Sequence, residues 1–193
     1  MEYTIHKNNE DEFLMEIQKD SFSTKIVFNF EPDDSFYGLA ICCNYHKNGH
    51  PIGFLKDNGL IITKIDGKKF RPIFEVGNSI IQAGPTLLEN FVHQRKFKEE
   101  EFSACDLSPG YHVSIGQKKF GNYIILLTKK AGLTEITNKL DDAGCQNAIK
   151  LPGLNKLGFY FRSTHQIVKA GNLPMPVALI FQPRIEKNTN LLS

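Results

Sequence analysis

Strand is the dominant signal along this chain, carried by short apolar runs and, in places, by apolar residues at every second position, the spacing of strands with one buried face. In FSTKIVFNF, Phe22, Ile26, Phe28 and Phe30 share a face by that rule. EPDDSFYG is a turn cluster and Leu39–Cys43 a short apolar strand. NYHKNGHPIG reads as a loop rich in turn formers. GLIITKIDGKKFRPIFEV predicts two strands joined at Asp66-Gly67, a hairpin dipeptide. NSIIQAG predicts a further strand, broken at Gly84-Pro85. Residues 93–110 are polar, carry KFKEEE and read as a solvated loop, and YHVSIG and NYIILLT predict a hairpin around Lys118–Gly121. One segment, Thr134–Ala143, has helical period instead. Thr134 is its candidate N-cap, Glu135 lies in its first turn, Ile136, Leu140 and Ala143 share a face, and Gly144 stops it. Strands are expected again at Ala148–Leu151, Leu157–Arg162, Gln166–Lys169 and Val177–Phe181, and the tail 184–193 is expected to be mobile. The class predicted is α+β: one strand-rich domain over 1–193, with a mixed or antiparallel sheet and at least one packed helix.

Composition narrows the function more than the fold. With 193 residues, 23% of them charged, and a net charge of +2, the chain has an ordinary globular make-up. No basic stripe marks a nucleic-acid binder, no apolar run is long enough to span a membrane, and the charged start MEYTIHKNNEDEF is not a signal peptide. The expectation is a cytoplasmic protein that meets a small ligand. Cys42, Cys43, Cys105 and Cys145 show no zinc spacing and read as reduced, mostly core residues. A thiolate nucleophile at Cys42 or Cys43, served by His46 or His112, is the alternative reading. No metal and no cofactor are expected.

Five strings occur in a telling order: AICCNYHKNGHPIG, IIQAGPTLL, HVSIG, GCQNAIKLPG and GNLPMPVALIF. Together they resemble the phosphodiester glycosidase family, over about residues 38–183. The most specific pieces are Gln82–Pro85 and Gly144–Leu151. The resemblance implies a glycosidase-like scaffold in which several chemical positions differ. Where that family has asparagine-glycine-glycine before two aromatics, this chain has Cys42-Cys43-Asn44-Tyr45-His46. The family's arginine is His112, its asparagine Lys150 and its following aspartate Pro152. The member implied is a degenerate one.

Cleaving a sugar–phosphate bond normally takes a pair of carboxylates. The segments Ala40–Gly53, Ile80–Leu88, Tyr111–Gly116 and Gly144–Gly153 contain no Asp or Glu. A calcium or magnesium cage would also need carboxylate oxygens. The same segments carry donors and cations suited to a phosphate: Asn44, His46, Gln82, His112, Ser114 and Lys150, with glycine backbone at Gly84 and a stacking ring at Tyr45. Arg162 on a later strand completes the candidate ligand set. Each also has a plain structural reading. Tyr45 and His46 suit an exposed loop, His112 a satisfied core histidine, Arg162 a surface, and Gly84-Pro85 a fixed backbone. Lys150 is the sharpest, because lysine in a buried run must pair, snorkel or line a pocket. Three functions follow. The first is non-catalytic binding and sequestration of a nucleotide, signalling nucleotide or sugar phosphate, as a phage protein would practise against a host defence. A closed pocket or a homo-oligomer would help retention. The second is a hydrolase using His46 and His112 as acid and base. The third is an interaction module working through KFKEEEF.

Overall fold

In the computed structural model the described residues form eighteen strands, and the helical segment becomes a helix. Residues 1–47, 50–64, 72–94, 108–152 and 158–184 are described, with backbone alone at 45–47 and 50. The chain runs through β1 (Tyr3–Asn8), β2 (Glu12–Ile17), β3 (Phe22–Phe30), β4 (Gly38–Cys42), β5 (Tyr45–Lys47), β6 (His50–Ile52), β7 (Leu55–Asp57), β8 (Leu60–Thr63) and β9 (Ile73–Val76). It continues with β10 (Ser79–Gln82), β11 (Thr86–Glu89), β12 (Val92–His93), β13 (Gly110–Lys118), β14 (Tyr123–Ala131), helix α1 (Leu133–Asp142), β15 (Cys145–Lys150), β16 (Gly158–Arg162), β17 (Ile167–Gly171) and β18 (Met175–Pro183).

Three main sheets result, ordered β1-β2-β14-β13-β15-β11-β12, β17-β16-β4-β18-β3 and β8-β7-β10-β9, with β5-β6 as a small ribbon. Neighbouring strands pair antiparallel throughout. With a single α-helix among the described residues the fold is mostly β, and the α+β expectation holds only loosely. No helix of the described residues is long and apolar enough to cross a membrane.

The seven- and five-stranded sheets pack face to face because alternate residues of both are apolar. Phe13, Met15, Val113, Ile115, Ile125 and Ile149 come from one, and Leu39, Ile41, Phe159, Phe161, Leu179 and Phe181 from the other. Aromatic edges lock this core: Phe13 meets Phe159 with ring centroids 5.6 Å apart, and Phe22 meets Tyr123 at 5.6 Å. The four-stranded sheet closes the same core with Leu55, Phe74, Val76 and Ile81. It is tied to β3 through Thr24, whose Oγ1 donates to the Val76 carbonyl at 2.8 Å.

On the outer face of the seven-stranded sheet lies α1. Ile136 and Leu140 pack against Leu87, Ile124, Leu126, Cys145 and Ala148. Because β14 and β15 both run antiparallel to β13, they are parallel to each other. The segment β14–α1–β15 is therefore a βαβ crossover with β13 inserted between its strands.

Several expectations need correction. The strands flanking Asp66-Gly67 do not pair: β8 pairs with β7 and β9 with β10. Asn58-Gly59 and Gly77-Asn78 are the two-residue turns that close those hairpins, with positive φ at Asn58, Gly59 and Gly77. Asp66-Gly67 itself, KFKEEE and residues 185–193 of the tail lie outside the described residues. The shared face of β3 ends early. Phe28 is 41% exposed, Asn29 takes φ 49, and Phe30 turns to pack on Phe36 at 5.1 Å. The helix is capped by Gly132 rather than Thr134, which falls inside the first turn, while Gly144 stops it at φ 81 as expected. The charged N-terminus holds β1 and β2, which composition concealed.

Candidate functional site

Strand parity brings several of the candidate residues to one face. On β13, Val113 and Ile115 point into the sandwich core, so His112, Ser114 and Gly116 point to the α1 face. Ile124 and Leu126 lie on that face of β14, and Thr128 follows them; Ala148 lies there on β15, and Lys150 follows it. Register places His112 opposite Thr128, and Ser114 between Leu126 and Lys150. Four polar side chains thus form one patch near the C-terminal ends of β14 and β15. All four are buried.

Their hydrogen bonds are informative. His112 Nε2 lies 2.8 Å from the Ser108 carbonyl, which can only accept, so Nε2 carries the proton and a neutral ring keeps its lone pair on Nδ1. Lys150 Nζ donates to the Leu151 carbonyl at 3.2 Å, and its backbone N–H donates to the Pro85 carbonyl at 2.9 Å. This second bond joins the Gly84-Pro85 turn, whose peptide is cis, to the end of β15. The hydroxyls of Ser114 and Thr128 are buried without a partner among the described residues. None of the described residues in this patch is Asp or Glu.

The other expected residues divide. Asn44, just past β4, is buried with Oδ1 and Nδ2 both unpartnered among the described residues. Gln82 fixes backbone: its Oε1 accepts from Phe54 N–H at 2.8 Å, and its own N–H donates to the Phe54 carbonyl at 2.8 Å. Arg162 lies away from the patch, on the outer face of the five-stranded sheet. There it stacks 4.9 Å above the Tyr37 ring and reaches Asp34 at 3.4 Å. The side chains of Tyr45 and His46 lie outside the description. Thr128 was not singled out by sequence. Its signal was slight, one hydroxyl ending the apolar run YIILLT.

Two of the described cysteines have deeply buried thiols. Burial, reinforced by neighbouring Cys42, pushes the Cys43 thiol well up, and burial pushes Cys145 to about 12.

A second charged group ties β1 and β2 to α1. Glu12 accepts from Lys139 at 2.8 Å and Lys7 at 2.9 Å, and Glu16 from Lys118 at 2.8 Å. Burial alone would raise both carboxyls. The lysine hydrogen bonds, with Asn122 and His6 at Glu16, outweigh it and hold both below the ordinary carboxylate range.

The architecture is shared, at the level of fold, with two solved structures of low sequence identity. The chain is similar to the zebrafish N-acetylglucosamine-1-phosphodiester alpha-N-acetylglucosaminidase catalytic domain, described as auto-inhibited by its pro-peptide. The TM-score is 0.64 at 12% identity, covering 95% of this chain and 83% of that one. It is also similar to a hypothetical protein from Synechocystis, with a TM-score of 0.63 at 10% identity, covering 94% of this chain and 61% of that one. No family model matches the chain, and no curated protein matches it.

Proposed function

We propose that the chain binds a phosphate-bearing small molecule, a nucleotide or sugar phosphate, and holds it without cleaving it. The observation that carries this reading is the buried patch of His112, Ser114, Thr128 and Lys150. It offers donors and a cation, two of its hydroxyls are unsatisfied among the described residues, and none of its own members is a carboxylate. An unsatisfied buried hydroxyl costs about 1–3 kcal/mol, a cost that an anionic ligand accepting both hydrogen bonds would remove. A βαβ unit supports the placement, since ligands of such units gather at the carboxyl ends of the parallel strands. The glycosidase-like fold supports a small-ligand site, and the replaced residues Lys150 and Pro152 support loss of its chemistry, which makes the chain a degenerate relative in this reading.

The test is recovery of ligand. The purified protein is incubated with extracted nucleotides and sugar phosphates, washed and denatured, and both fractions are read by mass spectrometry. Intact ligand released in near-stoichiometric amount is the expected result. Products in solution with nothing retained would replace this reading with the hydrolase acting through His46 and His112.

A further inference from the structure

A helix leaves its first N–H groups unbonded, and most helices satisfy them with Ser, Thr, Asp or Asn at the N-cap. The ten-residue helix α1 does not. Its N-cap is Gly132, at φ −88 and ψ 167, with no side-chain hydrogen bond to the first turn. That conformation is the extended one a capping side chain uses, and a Cβ on Gly132 would meet nothing nearer than Pro109 Cγ at 3.9 Å. Space for a cap exists, and no side chain among the described residues fills it.

The bare turn adjoins the buried patch. Pro109 follows Ser108, whose carbonyl holds the His112 ring at 2.8 Å. Ala131, just before the cap, pairs with Gly110, two residues from His112. Independently, Thr128 and Ser114 are 2% and 0% exposed, lie on the face that α1 covers, and have hydroxyls with no partner among the described residues. Glu135 in the first turn is directed along the helix to Lys139, 3.4 Å away.

We propose that the phosphate group of the ligand seats on the N-terminal turn of α1. The backbone N–H groups following Gly132 and the hydroxyl of Thr128 donate to its oxygens. The helix dipole favours its negative charge, and His112 and Lys150 flank it. This rests on the reading of the chain as a phosphate binder and adds where the anion sits. Gly132 is bare because the ligand's phosphate is the cap.

The experiment uses Gly132→Asp, Gly132→Ala and Thr128→Val in the full chain. Inorganic phosphate and adenosine 5′-monophosphate are titrated by calorimetry, with thermal melts alongside. An aspartate at the cap supplies its own carboxylate to the free N–H groups. Gly132→Asp is therefore expected to melt about 1 °C higher yet bind the probes about tenfold or more weakly. Gly132→Ala, which fills space without an acceptor, should weaken binding less than Gly132→Asp does, and an equal loss would refute competition for the N–H groups. A merely structural cap would raise the melt and leave binding alone. Gly132→Asp binding as tightly as the parent overturns the seat but not the wider reading. A parent chain that binds neither probe overturns both. If the aspartate variant does not fold, Thr128→Val decides: unchanged affinity refutes the seat, and a loss at an unchanged melting temperature supports it.

Discussion

Gly116 lies on the α1 face of β13, opposite Ile124 on one side and Ala148 on the other, and replacing it by alanine tests how the helix is seated. The added methyl would overlap the Cys145 sulfur and stand 3.1 Å from Cys145 Cβ and 3.4 Å from Leu140 Cδ2. Cys145 and Leu140 are fully buried, so neither has solvent to move into. Overpacking of this kind costs about 1–3 kcal/mol. Against it, alanine restricts the unfolded chain and returns about 0.4–1 kcal/mol. The net destabilisation of Gly116→Ala is then on the order of 1–2 kcal/mol, a fall in Tm of roughly 2–8 °C for a chain of this size. Removing the sulfur should relieve most of it. In a Cys145→Ala background, Gly116→Ala should cost at least about 1 kcal/mol less than it does alone. Urea denaturation of the four proteins, followed by circular dichroism, measures that coupling. Additivity within about 0.5 kcal/mol would refute the packing argument, as would a stabilising Gly116→Ala.

Acid should loosen the attachment of β1 and β2 to α1 and to the end of β13. Glu12 and Glu16 are held below their ordinary value of 4.5, so in the window between folded and unfolded values the unfolded chain binds more protons. Their contribution is complete above that ordinary range and is lost as pH falls through the depressed values. Glu12→Gln and Glu16→Gln should flatten the fall of Tm below about pH 4.5, and an unchanged slope would contradict the ion-pair account. Ser114→Ala should hold or gain stability, up to about 1–2 kcal/mol, while weakening ligand retention; a marked loss of stability in the melt would mean that the hydroxyl is satisfied. The β11–β12 turn sets Asn90 at φ 51 and Phe91 at φ 65, where Asn-Gly is the favoured pair, and Phe91 is 47% exposed. Phe91→Gly should therefore stabilise by about 1 kcal/mol, and a lower Tm would show that the ring's contacts outweigh the strain.

Much of the strand content was legible because the sandwich strands carry apolar runs, such as YIILL in β14 and VALIF in β18, or alternate, as the first half of β3 does. The errors have identifiable causes. Phe13, Met15 and Ile17 alternate as well, but no strand was read there among the acidic and basic residues around them. In the fold those charges are absorbed, with Glu12 itself buried between Lys7 and Lys139. Asp66-Gly67 has the right composition for a hairpin, but the described strands on either side, β8 and β9, pair with β7 and β10 through Asn58-Gly59 and Gly77-Asn78. Within the site, His112, Ser114 and Lys150 could be found because they interrupt apolar runs. That they share a face with Thr128 depends on register, which no single segment carries. Arg162 also follows an apolar run, but parity sends it to the opposite outer face of the sandwich.

The position of β3 sets a constraint on biosynthesis. In its sheet β3 has one neighbour, β18, and Phe22 through Phe30 pair with Pro183 back to Met175. About 145 residues therefore separate the synthesis of β3 from that of the strand that completes it, or roughly 7–30 s at typical elongation rates. Through that interval Phe22 and Ile26 lack their sheet partner, and β2 likewise waits for β14. Such long-range pairing makes for slow folding and an exposed nascent chain. Production of this protein should therefore respond to trigger-type chaperones and to lowered temperature more than its finished stability would suggest, and soluble yield with and without them is a direct readout.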